Sequence, residues 1–157
     1  MDTNYQLIAL DESLSTQVRE QMISPQYPSL TAAVSLANGY GPCRSCLRVF
    51  DQGNENRIYF TYNSFDGLSE LPDPGPVFIH EDKCERYSGN SFPPDLLELP
   101  LLLEAFGDES GLVSRMPVEP GRVDAQIAEI FTSPEVRFIN VRNAEAGCFV
   151  CRIEPVN

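Results

Sequence analysis

Phe138-Ile139-Asn140-Val141-Arg142-Asn143-Ala144-Glu145-Ala146-Gly147-Cys148-Phe149-Val150-Cys151-Arg152-Ile153 decides how this chain folds. Ile139 and Val141 share one parity of a first arm; Phe149, Cys151 and Ile153 share one parity of a second. Side chains alternate faces along a strand, so these side chains can all enter one core. The opposite face then carries Asn140 and Arg142, with Cys148, Val150 and Arg152. The loop 143–147 places Arg142 opposite Cys148, and a glycine late in such a loop suits a positive φ. The stretch is therefore expected to be a closing β-hairpin, with Cys151 in the core and Cys148 among polar groups.

Working outward, residues 121–131 form an amphipathic helix, with Val123, Ile127, Ile130 and Phe131 at i, i+4, i+7 and i+8. Residues 101–106 and 112–117 flank a Gly-Asp-Glu-Ser-Gly turn and suggest a second hairpin, in which Asp108 and Glu109 face solvent. A helix over 96–105 is the alternative, but Pro100 interrupts it. Towards the N-terminus, residues 5–10 suggest a strand. Asp11 is placed to cap a helix reaching about Ile23, with Leu14, Val18 and Met22 on one stripe. Further strands are expected over 31–37, 43–50, 57–62 and 77–80. A polar loop is expected over 63–75 and a long aperiodic one over 81–94. The count is about seven strands and two helices: an α+β fold with a mostly antiparallel sheet, in a single domain over 1–157.

The bulk chemistry excludes several functions. The chain has 157 residues, enough for one real core, and a formal net charge of −12. Such a surface repels phosphate backbones and anionic lipid, so neither nucleic acid nor membrane is an expected partner. No apolar run has the length of a transmembrane helix, and the first residues lack the basic and apolar regions of a signal peptide. With an odd count of five cysteines, the expected setting is cytoplasmic, with reduced thiols. The oligomeric state is not legible.

The cysteines carry the chemistry worth weighing. Cys43-x-x-Cys46 and Cys148-x-x-Cys151 have the spacing of a four-thiolate zinc site. On strands, however, residues i and i+3 point to opposite faces, so one metal cannot take both members of a pair. A chelating turn usually carries Gly after its second Cys, where this chain has Leu47 and Arg152. Replacing a thiol by His80 or Cys84, themselves spaced His-x-x-x-Cys, would rescue a mixed site. The expectation is small buried hydrophobes, with no metal and no cofactor. A redox dithiol would need a Cys at a helix N-terminus, and neither pair opens a predicted helix.

His80, the only histidine, shares a strand face with Phe78. It is expected to be a structural hydrogen-bonder. As a base it would need Cys43, Cys84 or Cys148 nearby as a nucleophile. Arg44 and Arg142 are two of only eleven bases, each beside a cysteine-bearing turn or strand start. Converging, they would anchor a small anionic ligand; apart, each pairs with a surface acid. No hydrolase elbow, phosphate-cradling loop or zincin motif is present, and no catalytic set is assigned.

The segment Gly41-Pro42-Cys43-Arg44 with Leu47, the strand 57–62, Val77-Phe78-Ile79-His80, and Asn143-Ala144 leading to Gly147-Cys148 resemble a bacterial family catalogued as domain of unknown function 1203. The resemblance covers nearly the whole chain and brings no activity with it. It implies that Pro42, Cys43, Arg44, Asn143, Ala144, Gly147 and Cys148 recur in relatives. It also implies that a histidine is common where this chain has Arg142, and that Cys46, Cys84 and Cys151 lie outside the shared pattern. The candidate site is accordingly Cys43, Arg44, His80, Arg142, Asn143 and Cys148. A binding module for an anionic metabolite is the first functional expectation. A thiol enzyme or zinc protein using Cys43 or Cys148 with His80 is the alternative. A third expectation is structural, with Arg44 donating to carbonyls of the 143–147 loop.

Overall fold

A computed structural model describes residues 5–39, 41–64, 75–108, 111–145 and 147–156. The expected 63–75 loop, the residue Tyr40 and Glu109 in the second turn fall wholly or partly outside these residues.

The closing hairpin is present: β10 (Phe138–Asn143) pairs antiparallel with β11 (Phe149–Pro155), and Gly147 takes a φ of 78°. Its register differs from the expected one. Val141 pairs with Cys151 but Arg142 pairs with Phe149, so Val150 is the extra residue of a bulge. The bulge breaks the alternation. Val150 joins Cys151 in the core, while Phe149 packs its ring 5.5 Å from that of Tyr62. Asn140, expected on the polar face, is fully buried.

Around the hairpin a six-stranded sheet forms in the order β7-β1-β11-β10-β8-β9. Its other strands are β1 (Tyr5–Ile8), β7 (Ser88–Gly89), β8 (Leu101–Phe106) and β9 (Leu112–Pro117). The β8–β9 hairpin falls where the Gly-flanked turn places it, and residues 101–106 are strand, not helix, as Pro100 requires. Asp108 receives an ion pair from Arg137. The face of this sheet carrying Leu7, Leu103, Ile139, Val141 and Ile153 packs with Val123, Ile127 and Ile130 of α2 (Val123–Phe131).

A three-stranded sheet, β4 (Ala33–Leu36), β5 (Asn56–Tyr62) and β6 (Gly75–His80), makes a second core. Ile58, Phe60, Val77 and Ile79 pack with Val18 of α1 (Glu12–Gln21). Asp11 caps α1 as expected, its carboxylate accepting the Ser13 N–H at 2.8 Å. The helix stops at Met22, which turns left-handed at φ 53°. A small two-stranded hairpin, β2 (Ile23–Ser24) with β3 (Tyr27–Thr31), follows. The result is α+β, with every described strand pairing antiparallel, but eleven described strands in three sheets replace the expected seven.

One expected element is absent. Residues 43–50 contain a turn, not a strand, and Leu47 sits there at φ 59°. The Leu47 N–H donates to the Cys43 carbonyl at 2.9 Å and the Cys43 N–H to the Arg48 carbonyl at 2.9 Å. The turn also ties separate elements together. Its Arg44 and Ser45 carbonyls accept the Leu10 and Tyr87 N–H groups, and the Arg44 N–H donates to the Phe78 carbonyl. Leu47 enters the larger core, while Cys43, Cys46 and Phe50 enter the smaller one. A buried Leu here offsets the strain of the left-handed conformation, because full burial of such a side chain contributes about 1.5–3 kcal/mol.

Candidate metal centre

The turn dissolves the parity objection to Cys43 and Cys46 binding together. In a tight turn, i and i+3 can converge where strand residues diverge. Two further residues reach them. His80 ends β6 beside the turn, and Cys84 lies four residues on, in a run without regular structure. The ligand atoms of Cys43, Cys46, His80 and Cys84 all lie within 4.8 Å of one another.

The separations have the size a metal needs. Cys43 Sγ and Cys84 Sγ are 3.7 Å apart, and Cys46 Sγ is 3.5 Å from His80 Nδ1. A tetrahedral zinc with Zn–S near 2.3 Å and Zn–N near 2.0 Å has S···S edges of about 3.8 Å and S···N edges of about 3.5 Å. The mixed Cys3His set is a standard structural zinc combination, and four protein donors leave no open position for substrate.

Outer contacts match the same purpose. His80 presents Nδ1 to the thiols, and its Nε2 lies 3.4 Å from Glu55 Oε2, the carboxylate partner that orients a ligating imidazole. The Phe50 ring packs on the imidazole, with centroids 4.5 Å apart. The His80 N–H donates to Cys43 Sγ at 3.4 Å. From the last turn of α1, Arg19 donates to Cys84 Sγ at 3.5 Å and to the His80 carbonyl at 3.1 Å. Three thiolates around a divalent cation carry one net negative charge, which Arg19 offsets.

The mutual contacts also move the proton equilibria. Contact with Cys46 and Cys84 raises the Cys43 thiol, and contact with Cys43 lowers those of Cys46 and Cys84. His80 is pushed up to about 10, first by its contact with Cys46 and then by Cys84, against the effect of burial. Binding a cation would displace protons from this cluster, since ligating sulfurs and imidazole nitrogen are deprotonated.

The other expected site residues lie elsewhere. Arg44 is buried, and its Nε and Nη1 donate to the carbonyls of Phe149 and Pro42 at 2.8 and 2.6 Å. Burial pushes its guanidinium down to about 10. Arg142 donates to the Gly147 carbonyl at 2.7 Å and lies 3.4 Å from Glu104. The Asn143 side-chain oxygen accepts the Glu145 N–H, and the Asn143 backbone N–H donates to the Cys148 carbonyl, closing the hairpin loop. Cys148 is not part of the four-donor cluster. Arginine donation to carbonyls is what the structural expectation named, with Phe149 and Pro42 as acceptors instead of the 143–147 loop. The candidate site expected from sequence did not include Cys46 or Cys84, although both entered the mixed metal site weighed there. Their signal was visible as Cys-x-x-Cys followed by His-x-x-x-Cys, and the misassigned strand hid it.

Among the described residues no helix is long and apolar enough to cross a membrane. No curated protein and no solved structure matches the chain. A family model described as a protein of unknown function, DUF1203, matches residues 40–155, a span that contains all four donors. The chain therefore belongs to the domain of unknown function 1203 family.

Proposed function

We propose that this protein is a zinc-binding domain in which Cys43, Cys46, His80 and Cys84 hold one structural metal ion. The observation that carries this reading is the approach of four donors from two separate segments to tetrahedral spacing. Glu55 orients the imidazole and Arg19 balances the thiolate charge. The metal would join the 43–50 turn to β6 and the run after it, which no disulfide does, since none of the five cysteines is in one. Anion binding by Arg44 and Arg142 has less support, because the guanidinium groups are engaged with carbonyls and with Glu104.

The test is metal analysis of protein purified without chelator. About one equivalent of zinc is expected, and cobalt substitution should give the visible bands of tetrahedral thiolate coordination. His80→Ala should weaken zinc retention in a chelator competition at least tenfold, whereas Cys148→Ser should leave it unchanged. Metal-free protein that binds neither zinc nor cobalt would end the reading.

A further inference from the structure

We propose that Cys84 is an oxidant-reactive thiol and that Cys43 resolves it, so that a hydroperoxide converts the cluster to a Cys43–Cys84 disulfide and expels any bound metal. The proposal deepens the metal reading and rests on the same cluster, yet its chemistry is testable without a metal.

Access separates the three sulfurs. Cys43 and Cys46 are buried, but Cys84 is half-exposed and lines a cleft of about 550 Å³ with Glu12, Lys83, Glu85, Arg86 and Ser88. A small peroxide therefore meets Cys84 first. Arg19 donates to its sulfur at 3.5 Å, which fixes a polar partner beside the attacking atom. The Cys43 sulfur lies 3.7 Å from that of Cys84. A disulfide needs about 2.05 Å, so the two must close by about 1.7 Å. Cys84 can supply that movement because it lies outside any helix or strand, whereas Cys43 is held in the turn. Cys46 is engaged with the His80 ring, which leaves Cys43 as the resolving thiol.

The steps balance. The Cys84 thiolate attacks one peroxide oxygen, the O–O bond breaks, and hydroxide leaves, giving a sulfenic acid at Cys84. The Cys43 thiol then attacks that sulfur, and the hydroxide that leaves takes up the Cys43 proton as water while the S–S bond forms. Overall, one thiolate and one thiol are oxidised by two electrons, one hydrogen peroxide is reduced, and one further proton completes two waters. A zinc ion left with Cys46 and His80 alone has lost half its ligands and dissociates.

The chain itself supplies the means of mapping. Trypsin cleaves after Arg44, Arg48, Lys83 and Arg86, which puts Cys43, Cys46 and Cys84 on three different peptides. Purified zinc-loaded protein is treated with hydrogen peroxide, with dimedone present in a parallel sample, while released zinc is read with a chromogenic chelator. The expected result is dimedone on the 84–86 peptide, loss of two of the five thiols, a linked 20–44/84–86 pair, and zinc release in step with thiol loss. Cys148→Ser should behave as wild type. Dimedone first on Cys46 or Cys148, a different disulfide, or intact thiols at peroxide concentrations that oxidise free glutathione would overturn the proposal. If the protein holds no zinc, the metal reading fails by itself; the Cys43–Cys84 link then still upholds this inference and its absence still overturns it.

Discussion

Leu47 shows what a single residue decides here. It stands where a chelating turn usually carries glycine, in the left-handed region at φ 59°, and it is fully buried in the larger core. Two terms oppose each other in a Leu47→Gly variant. Removing the side chain from a packed core costs about 2–5 kcal/mol, and relieving the left-handed strain returns about 1–2 kcal/mol. At the centre of both ranges burial outweighs strain, so the variant should be less stable by about 2 kcal/mol, read from its urea midpoint. A variant as stable as wild type would show that Leu47 is not retained for packing. His80 illustrates the same lesson for chemistry. Its sequence position suggests a lone structural histidine; its surroundings make it a ligand candidate, because a turn thirty-odd residues earlier delivers Cys46 to its Nδ1.

At the scale of elements, α1 is positioned both by its cap and by its contact with the cluster. The Asp11 carboxyl is held below its ordinary value of 3.8, first by the Ser13 hydroxyl and then by the Ser13 N–H. A carboxylate with a depressed folded-state pKa stabilises the fold above its ordinary pKa, and this stabilisation is lost as pH falls through the lowered value. Asp11 is exposed, so solvent screening keeps the charge component small and the capping bond carries most of the effect. Asp11→Ala should cost about 1 kcal/mol at neutral pH, and the difference between variant and wild type should shrink in urea titrations below about pH 4. A difference that stays constant down to pH 2 would mean that the ionised cap is not responsible. The hairpins and helices were legible because their patterns are local: alternation in β8 to β11, a 3.6-residue stripe in α2, and a capping Asp before α1. The 43–50 segment was not, since apolar residues at Cys43, Cys46, Leu47 and Phe50 suit a buried turn as well as a strand.

At the scale of the molecule, the same turn feeds both cores, with Leu47 in one and Cys43, Cys46 and Phe50 in the other. Arg44 fastens it further to the start of β11 through the Phe149 carbonyl. We therefore expect the two sheets to unfold as one unit, as a single domain would. Far-ultraviolet circular dichroism and the near-ultraviolet tyrosine signal should give coincident guanidinium transitions; two resolved transitions would show that the cores are independent. Composition, the closing hairpin, both helices and the α+β class followed from sequence alone, because each depends on neighbours a few residues apart. The family resemblance likewise rested on short motifs kept in order. Only tertiary structure decided which cysteines meet. The register bulge at Val150 and the left-handed turn at Leu47 are set by burial against distant strands, not by local propensity. Cys148 and Cys151 lie outside the cluster, and the left-handed turn at Leu47 carries the cysteines that meet His80 and Cys84 within a metal's reach.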